Sequence, residues 1–317
     1  ELYLYLLNKR EENELTLAIT QSNARIIDSA RGSDIPVAPR AMIILLGACM
    51  LGVLLPGGLL WGVTAFDTKV RTIEDVEKVT TLPYLGDIPK SREVDQDSEI
   101  VVEDGSRGEI SESFRILRSN IEFMRGRDEK RNTLMFTSLN PNSGKTFIVA
   151  NLGVSLAMAG KKVIAIDLDI RKRQFSKRMG HEHAKGVTNF LSGETTNFHS
   201  LIQKSGVHEN FDCLYAGPQP PNPAELLLHK ELDTLIEELK KEYDYILVDN
   251  VPAAVVADAT IANRVADMTI FVVRAGNMDK RQLPLVERAY QSGKFKNMAL
   301  VLNDVDYKKA GYGYGYG

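Results

Sequence analysis

Residues 133–160 read TLMFTSLNPNSGKTFIVANLGVSLAMAG, and the order of residue types in this stretch decides the fold around it. Thr133 to Ser138 has the length and apolar character of a buried strand, a polar loop follows, and an apolar helix-forming segment begins near Thr146. Ser143-Gly144-Lys145-Thr146 stands where a P-loop carries its lysine and hydroxyl. Each residue type there has a physical reason. Gly144 lacks a Cβ, so the backbone N–H groups of Asn142, Ser143, Gly144, Lys145, Thr146 and Phe147 can turn inward on phosphate oxygens, and the start of the helix adds its positive dipole end. Lys145 is expected to reach the β- and γ-phosphates, and the Thr146 hydroxyl to take one corner of an octahedral magnesium. ATP and Mg2+ are therefore the expected cofactors. One position departs from the usual pattern: Leu139 stands where the first glycine belongs, so the loop needs carboxylates downstream to complete the reading.

Those carboxylates follow two further apolar runs. VIAIDLDIRK (163–172) places Asp167 and Asp169 at the C-terminal edge of one strand, and YILVDNVP (245–252) places Asp249 at the edge of another. Ligands of open α/β sheets bind just outside those edges. A single aspartate after a strand is ordinarily a turn starter or a helix cap. Three in the same setting, downstream of a GKT loop, point to convergence on the magnesium and the γ-phosphate. The candidate catalytic set is thus Lys145, Asp167, Asp169 and Asp249, and the candidate metal set is Thr146 with the same three aspartates. Which aspartate is the base stays open, because sequence gives direction but not distance.

Working outward, Ser111 to Arg125 carries Phe114, Leu117, Ile121 and Met124 at helical spacing. Strands are expected at Thr133 to Ser138, Lys162 to Asp167, Tyr245 to Asp249, Met268 to Val273 and Met298 to Leu302, with helical segments between. Fully apolar strands alternating with helices imply an α/β fold: a doubly wound, mostly parallel sheet forming a P-loop NTPase domain.

The run AMIILLGACMLGVLLPGGLLWGVTAF (41–66) carries no charge and exceeds the roughly 20 residues needed to cross a hydrocarbon layer, so it reads as one transmembrane helix. Pro56-Gly57-Gly58 is expected to weaken or kink it. Upstream, Glu1 to Glu14 is rich in helix formers, Leu15 to Ile27 has strand-like alternation, and Ser33 to Pro39 reads as an extended connector. Downstream, 67–110 reads as a tether with a small amphipathic segment, a turn at Leu82-Pro83 and an acidic stretch around Asp95 to Asp104. Because an ATP site faces the cytoplasm, residues 1–39 are expected on the periplasmic side. The chain starts at Glu1 in mid-pattern and reads as a piece of a longer precursor.

Composition narrows the function. The 317 residues hold 39 Lys+Arg against 42 Asp+Glu, a formal net charge of −3, which speaks against nucleic acid as the principal partner. Cys49 and Cys213 are too few and too far apart for a disulfide framework or a zinc site. His181-Glu182-His183 lacks further ligands and reads as a solvated loop.

With both aspartate motifs in view, the sequence resembles the bacterial tyrosine kinases that accompany exopolysaccharide and capsule export. Their second Walker-like motif, apolar residues then Asp-x-Asp-x-Arg, is matched by Ile164 to Arg171. Their Walker B is matched by Ile246-Leu247-Val248-Asp249, although Pro252 comes one residue later than usual. GVTNFLSGE (186–194) and GPQPPNPAELL (217–227) are further points of likeness, and ARIIDSARGSDIPVAPR (24–40) resembles the approach to the second transmembrane helix of polysaccharide chain-length regulators. The resemblance implies several roles. Asp167 would accept or orient the tyrosine proton. Glu112, Arg115 and Arg118, an E-x-x-R-x-x-R motif, would assemble a homo-oligomeric ring. Tyr307, Tyr312, Tyr314 and Tyr316 would be phosphoacceptors in a tail spanning 307–317, after a kinase domain at 111–306 and a transmembrane segment at 40–66. It further implies the bacterial inner membrane, the polysaccharide export machinery and a cognate tyrosine phosphatase as partners. Partitioning or cell-division ATPases share the sheet but carry an additional lysine early in the P-loop, where this chain has Asn140. A non-catalytic membrane scaffold is the other alternative, against which the intact Lys145, Thr146 and aspartate set argues.

Overall fold

The structure, a computed structural model, describes residues 1–19, 32, 38–90, 100–102, 108–126, 131–253 and 258–307. The chain divides into two units, Glu1–Asp67 and Thr68–Gly317. In the first unit, Leu2–Ile19 is helical. The strand expected from Leu15 therefore does not form as far as Ile19, and its remainder lies outside the described residues. Helix propagation from the preceding turns costs less than starting a lone strand, and the pairs Lys9–Glu12 and Arg10–Glu14 support those turns at 2.9 and 3.1 Å. A second helix, Ala41–Ala65, runs through Pro56. Its Ala41–Gly62 portion is long and apolar enough to cross a membrane, with 22 residues rising about 33 Å. Most of the extended connector from Ser33 lies outside the described residues.

The second unit is built on one eight-stranded sheet. In chain order its strands are β1 Tyr84–Pro89, β2 Thr133–Thr137, β3 Val163–Asp167, β4 Gln203–Lys204, β5 Phe211–Leu214, β6 Tyr245–Asp249, β7 Met268–Arg274 and β8 Met298–Val305. Their spatial order is β1-β8-β7-β2-β6-β3-β5-β4, and only the short β4 runs antiparallel to its neighbour. The central strands bury both faces. Leu134 and Phe136 of β2 join the core under helices Glu109–Arg125 and Lys145–Met158, while Met135 joins the core under helices Lys230–Glu242 and Leu283–Gln291. That alternation across a strand with helices on both sides is the doubly wound arrangement its continuous apolar runs call for. Helix Lys145–Met158 is buried on nearly every side. Gly153 lets it approach the sheet closely, because a Cβ there would lie 2.5 Å from the Phe211 ring.

The tether expected over 67–110 needs correction. Residues from Thr68 onward belong to the sheet domain, and β1 forms its edge, parallel to β8 with Asp87 opposite Leu302. Pro83, Gly86 and Pro89 disguise the strand in sequence. An edge strand tolerates them, since one side of its backbone needs no ladder bonds. Its own Leu85 and Ile88 are buried. Before β1, Val70 N–H donates to Met278 O at 2.9 Å, Gly276 N–H donates to Val70 O at 2.8 Å, and Lys280 pairs with Asp75 at 2.7 Å. Most of the acidic stretch from Asp95 to Asp104 lies outside the described residues; Ile100 to Val102 are described, and Val101 and Val102 donate their N–H groups to the buried Asn151 side chain at 2.8 and 3.1 Å.

Candidate active site

The loop after β2 carries the conformation its sequence demands. Asn142 and Gly144 have φ of 57° and 89°, in the left-handed region. At Gly144 the backbone conformation favours glycine, and a Cβ would stand 2.0 Å from Asn303 Nδ2, so the Asn303 side chain would have to move to admit one. Leu139 keeps an ordinary φ and packs its side chain against the core, so the glycine missing from the usual pattern is not needed here. Ser138 Oγ and Ser143 Oγ donate to Asn140 O at 2.6 and 2.8 Å, closing the loop on itself. From the ends of β7 and β8, Arg274 donates to Asn142 O and Asn303 to Ser143 O, both at 3.0 Å. Asn140 exchanges hydrogen bonds with Gln282, the shorter at 2.9 Å. It acts as a brace in the position where partitioning ATPases hold a lysine.

The aspartates arrive from neighbouring strands. β3 and β6 pair in parallel with Asp167 directly opposite Asp249, and both are buried. Thr146 Oγ1 donates to Asp249 Oδ2 at 2.7 Å. Asp249 Oδ1 is buried with no hydrogen-bond partner among the described residues. Burial raises the Asp249 pKa above the ordinary carboxylate range, against the pull of the Lys145 ammonium and the Thr146 hydroxyl. Burial raises Asp167 as well, and the Asp249 charge adds to it. Lys145 is held below the usual lysine range by burial, opposed by Asp249 and Asp169. Its Nζ sits 3.3 Å from Ser138 Oγ.

Asp169 is placed differently from the other two. Its N–H donates to Asp167 Oδ1 at 3.1 Å and its own Oδ1 accepts from Lys172 N–H at 2.9 Å, so its carboxylate also starts the turn after β3. Sequence reasoning missed Ser176, whose N–H and Oγ both donate to Asp167 Oδ2, at 2.9 and 2.6 Å. Ser176 Oγ in turn accepts from Ala216 N–H at 3.0 Å, tying the Asp167 carboxylate to the end of β5. A serine nine residues downstream of Asp167 carries no motif signal of its own.

The residues present fit a nucleotide-bound magnesium. Among the described residues no three His, Cys, Asp or Glu side chains form a protein-only metal cage. Magnesium takes one or two carboxylates and completes its shell with water and phosphate. The unpartnered Asp249 Oδ1, beside the Thr146 hydroxyl and close in the sheet to Asp167, is that kind of open acceptor.

Other expected residues lie apart from this centre. On helix Glu109–Arg125, Arg115 pairs with Glu112 at 2.8 Å on the surface, whereas Arg118 turns inward and donates to Ser155 O at 2.7 Å. Tyr307 packs against the core and its hydroxyl donates to Asp87 Oδ2 at 2.5 Å. Tyr312, Tyr314 and Tyr316 lie outside the described residues.

The profile of the GNVR (G-rich domain) family matches residues 1–61, and that of an AAA domain matches residues 138–281. The tyrosine-protein kinase YwqD of Bacillus subtilis is 36% identical over 205 residues, covering 64% of this chain and 85% of that protein. The tyrosine-protein kinase wzc of Salmonella typhimurium is 30% identical over 333 residues, 100% of this chain. The chain spans 46% of that relative's length. Among solved structures, the kinase domain of the Escherichia coli tyrosine kinase ETK superposes with a TM-score of 0.67 at 28% identity, covering 78% of this chain and 99% of that one.

Proposed function

The chain belongs to the bacterial tyrosine-protein kinase family, and on that premise we propose that it is an ATP- and magnesium-dependent autokinase. Its acceptors are tyrosines of its own C-terminal cluster. The observation that carries the proposal is the meeting of Lys145, Thr146, Asp167 and Asp249 at the C-terminal ends of β2, β3 and β6.

Loop amides from Asn142 to Phe147 and the start of the following helix bind the phosphates, and Lys145 neutralises charge that develops on the γ-phosphoryl group. Thr146, Asp249, Asp167 and Asp169 are the residues that would hold the magnesium, which would supply further neutralisation of the phosphates. Asp167 accepts or orients the phenolic proton. Its raised pKa places it nearer neutrality than an ordinary aspartate, which suits a proton acceptor, and Ser176 fixes its orientation.

The wider setting is our reading of the same family resemblance. The helix Ala41–Ala65 anchors the chain in the bacterial inner membrane, residues 1–39 lie on the periplasmic side, and the kinase domain faces the cytoplasm. Copies assemble in a ring through the helix bearing Glu112, Arg115 and Arg118, and phosphorylate one another's tails. The system regulates exopolysaccharide or capsule export and is reset by a tyrosine phosphatase. A test is incubation of the full chain with γ-labelled ATP and magnesium in wild type, Lys145→Met and a variant lacking the last six residues. Label on tail tyrosines, lost with Lys145→Met, is the expected result. ATP hydrolysis without tyrosine label overturns it in favour of a partition-type ATPase, and absence of both in favour of a scaffold.

A further inference from the structure

The tyrosine cluster does not start where its first tyrosine stands. Tyr307 follows β8 by two residues, and its ring packs half-buried against the same core that Tyr84 of β1 borders. Its hydroxyl donates to Asp87 Oδ2 at 2.5 Å, and the same carboxylate lies close enough to the Tyr84 phenol to disfavour its ionisation. Asp87 is itself fixed, since its strand is bonded to β8 in register, Asp87 opposite Leu302. One edge-strand carboxylate thus holds the phenol at the root of the tail, with a second phenol of its own strand nearby. Burial, reinforced by Asp87, pushes the ionisation of both phenols up.

We infer that Asp87 determines which tyrosines serve as acceptors: it holds Tyr307 against the sheet edge, removes it from the acceptor set, and leaves Tyr312, Tyr314 and Tyr316 as the substrates. The inference deepens the kinase reading and rests on it for the phosphorylation itself. Transfer forms a bond between phenolic oxygen and γ-phosphorus, breaks the bond from that phosphorus to the β,γ-bridging oxygen, releases ADP and passes the phenolic proton to a carboxylate of the site. Tyr307 enters that reaction only by giving up both its bond to a charged acceptor and its apolar packing. The loss of a hydrogen bond to a charged group alone lowers the competent fraction by about tenfold or more. A phosphate formed in place would add about −1.5 to −2 charges beside Asp87, with like-charge repulsion. The ten residues beyond Tyr307 span at most roughly 33 Å, so an anchored root sets how far the later tyrosines reach.

The test is phosphosite occupancy by mass spectrometry after a short incubation of the full chain with MgATP, in wild type, Asp87→Ala and Asp87→Asn. A second arm reads accessibility without kinase activity, as the rate of tetranitromethane nitration of each tyrosine in Lys145→Met and in Lys145→Met with Asp87→Ala. Expected are Tyr307 occupancy and nitration about tenfold or more below those of Tyr312, Tyr314 and Tyr316, with Asp87→Ala closing the gap and Asp87→Asn narrowing it. Equal occupancy or equal nitration in protein with Asp87 intact overturns the inference, a result that stands even if the Asp87 variants misfold. So does a gap that well-folded Asp87→Ala leaves unchanged. If no tyrosine is phosphorylated, the kinase reading fails by itself, and the nitration contrast still decides whether Asp87 holds the tail root.

Discussion

Asp167 and Asp249 stand directly opposite one another at the ends of two adjacent parallel strands, both buried, so the Asp249 charge raises the cost of ionising Asp167. Thr146 binds one oxygen of Asp249 and leaves the other open.

Burial and that repulsion make stability depend on pH. A carboxylate whose folded-state pKa is raised binds its proton more tightly folded than unfolded, so it lowers stability progressively as pH rises from the unfolded pKa, about 4, through the folded value. Asp249→Asn keeps an acceptor for Thr146 and removes the charge. Nucleotide-free protein carrying it should therefore melt higher than wild type at pH 7.5, by a margin equivalent to about 1 kcal/mol, and the margin should shrink as pH falls toward 4. The same variant should lose about a hundredfold or more in tyrosine phosphorylation. A lower melting temperature at pH 7.5, with the fold otherwise intact, would count against the charge argument.

Ser176→Ala removes the Oγ donor to Asp167 and the acceptor of the Ala216 N–H. Both groups are buried, so the cost to stability should be about 1–3 kcal/mol. Turnover should fall while the KM for ATP stays near wild type, because Ser176 orients the candidate base and does not touch the phosphate loop. Steady-state kinetics with ATP varied separates the two parameters.

Gly144→Ala places a Cβ onto Asn303 Nδ2 at a backbone φ of 89°. ATP binding, followed by fluorescent-nucleotide titration, should be lost. The double variant Gly144→Ala with Asn303→Ala should remain impaired, since removing the side chain clears the space but not the backbone strain.

Ile88→Ala tests the place of β1 in the domain. Ile88 is fully buried, and truncation should destabilise the domain by about 2–5 kcal/mol. Denaturant unfolding measures it. A change near zero would mean that the segment behaves as the tether its sequence resembles.

The central strands and the P-loop were legible because their signals are local and redundant. β2, β3, β6, β7 and β8 are continuous apolar runs, and Gly144, Lys145 and Thr146 carry chemistry that their spacing exposes. β1 was not legible, because prolines and a glycine mark turns in isolation and only an edge position beside β8 reconciles them with a strand. β5 escaped because four residues amid polar neighbours give no periodicity, though Phe211 and Cys213 are wholly buried. Ser176, nine residues beyond Asp167, and Asn303, from the far end of the chain, both reach the site, and their side-chain type alone says nothing of that. Arg118 shows the converse. Its motif position points to a neighbouring subunit, while in this structure its guanidinium is committed to Ser155 O.

The claim that ends of separate strands share one metal–nucleotide centre is tested most directly by electron paramagnetic resonance of Mn2+, substituted for magnesium, titrated with ADP into wild type and Asp249→Asn. The account predicts a protein-bound Mn2+–ADP signal in wild type and a loss of affinity of about tenfold or more in the variant, with metal-free ADP binding retained. Equal Mn2+–ADP affinity in the two proteins would contradict it.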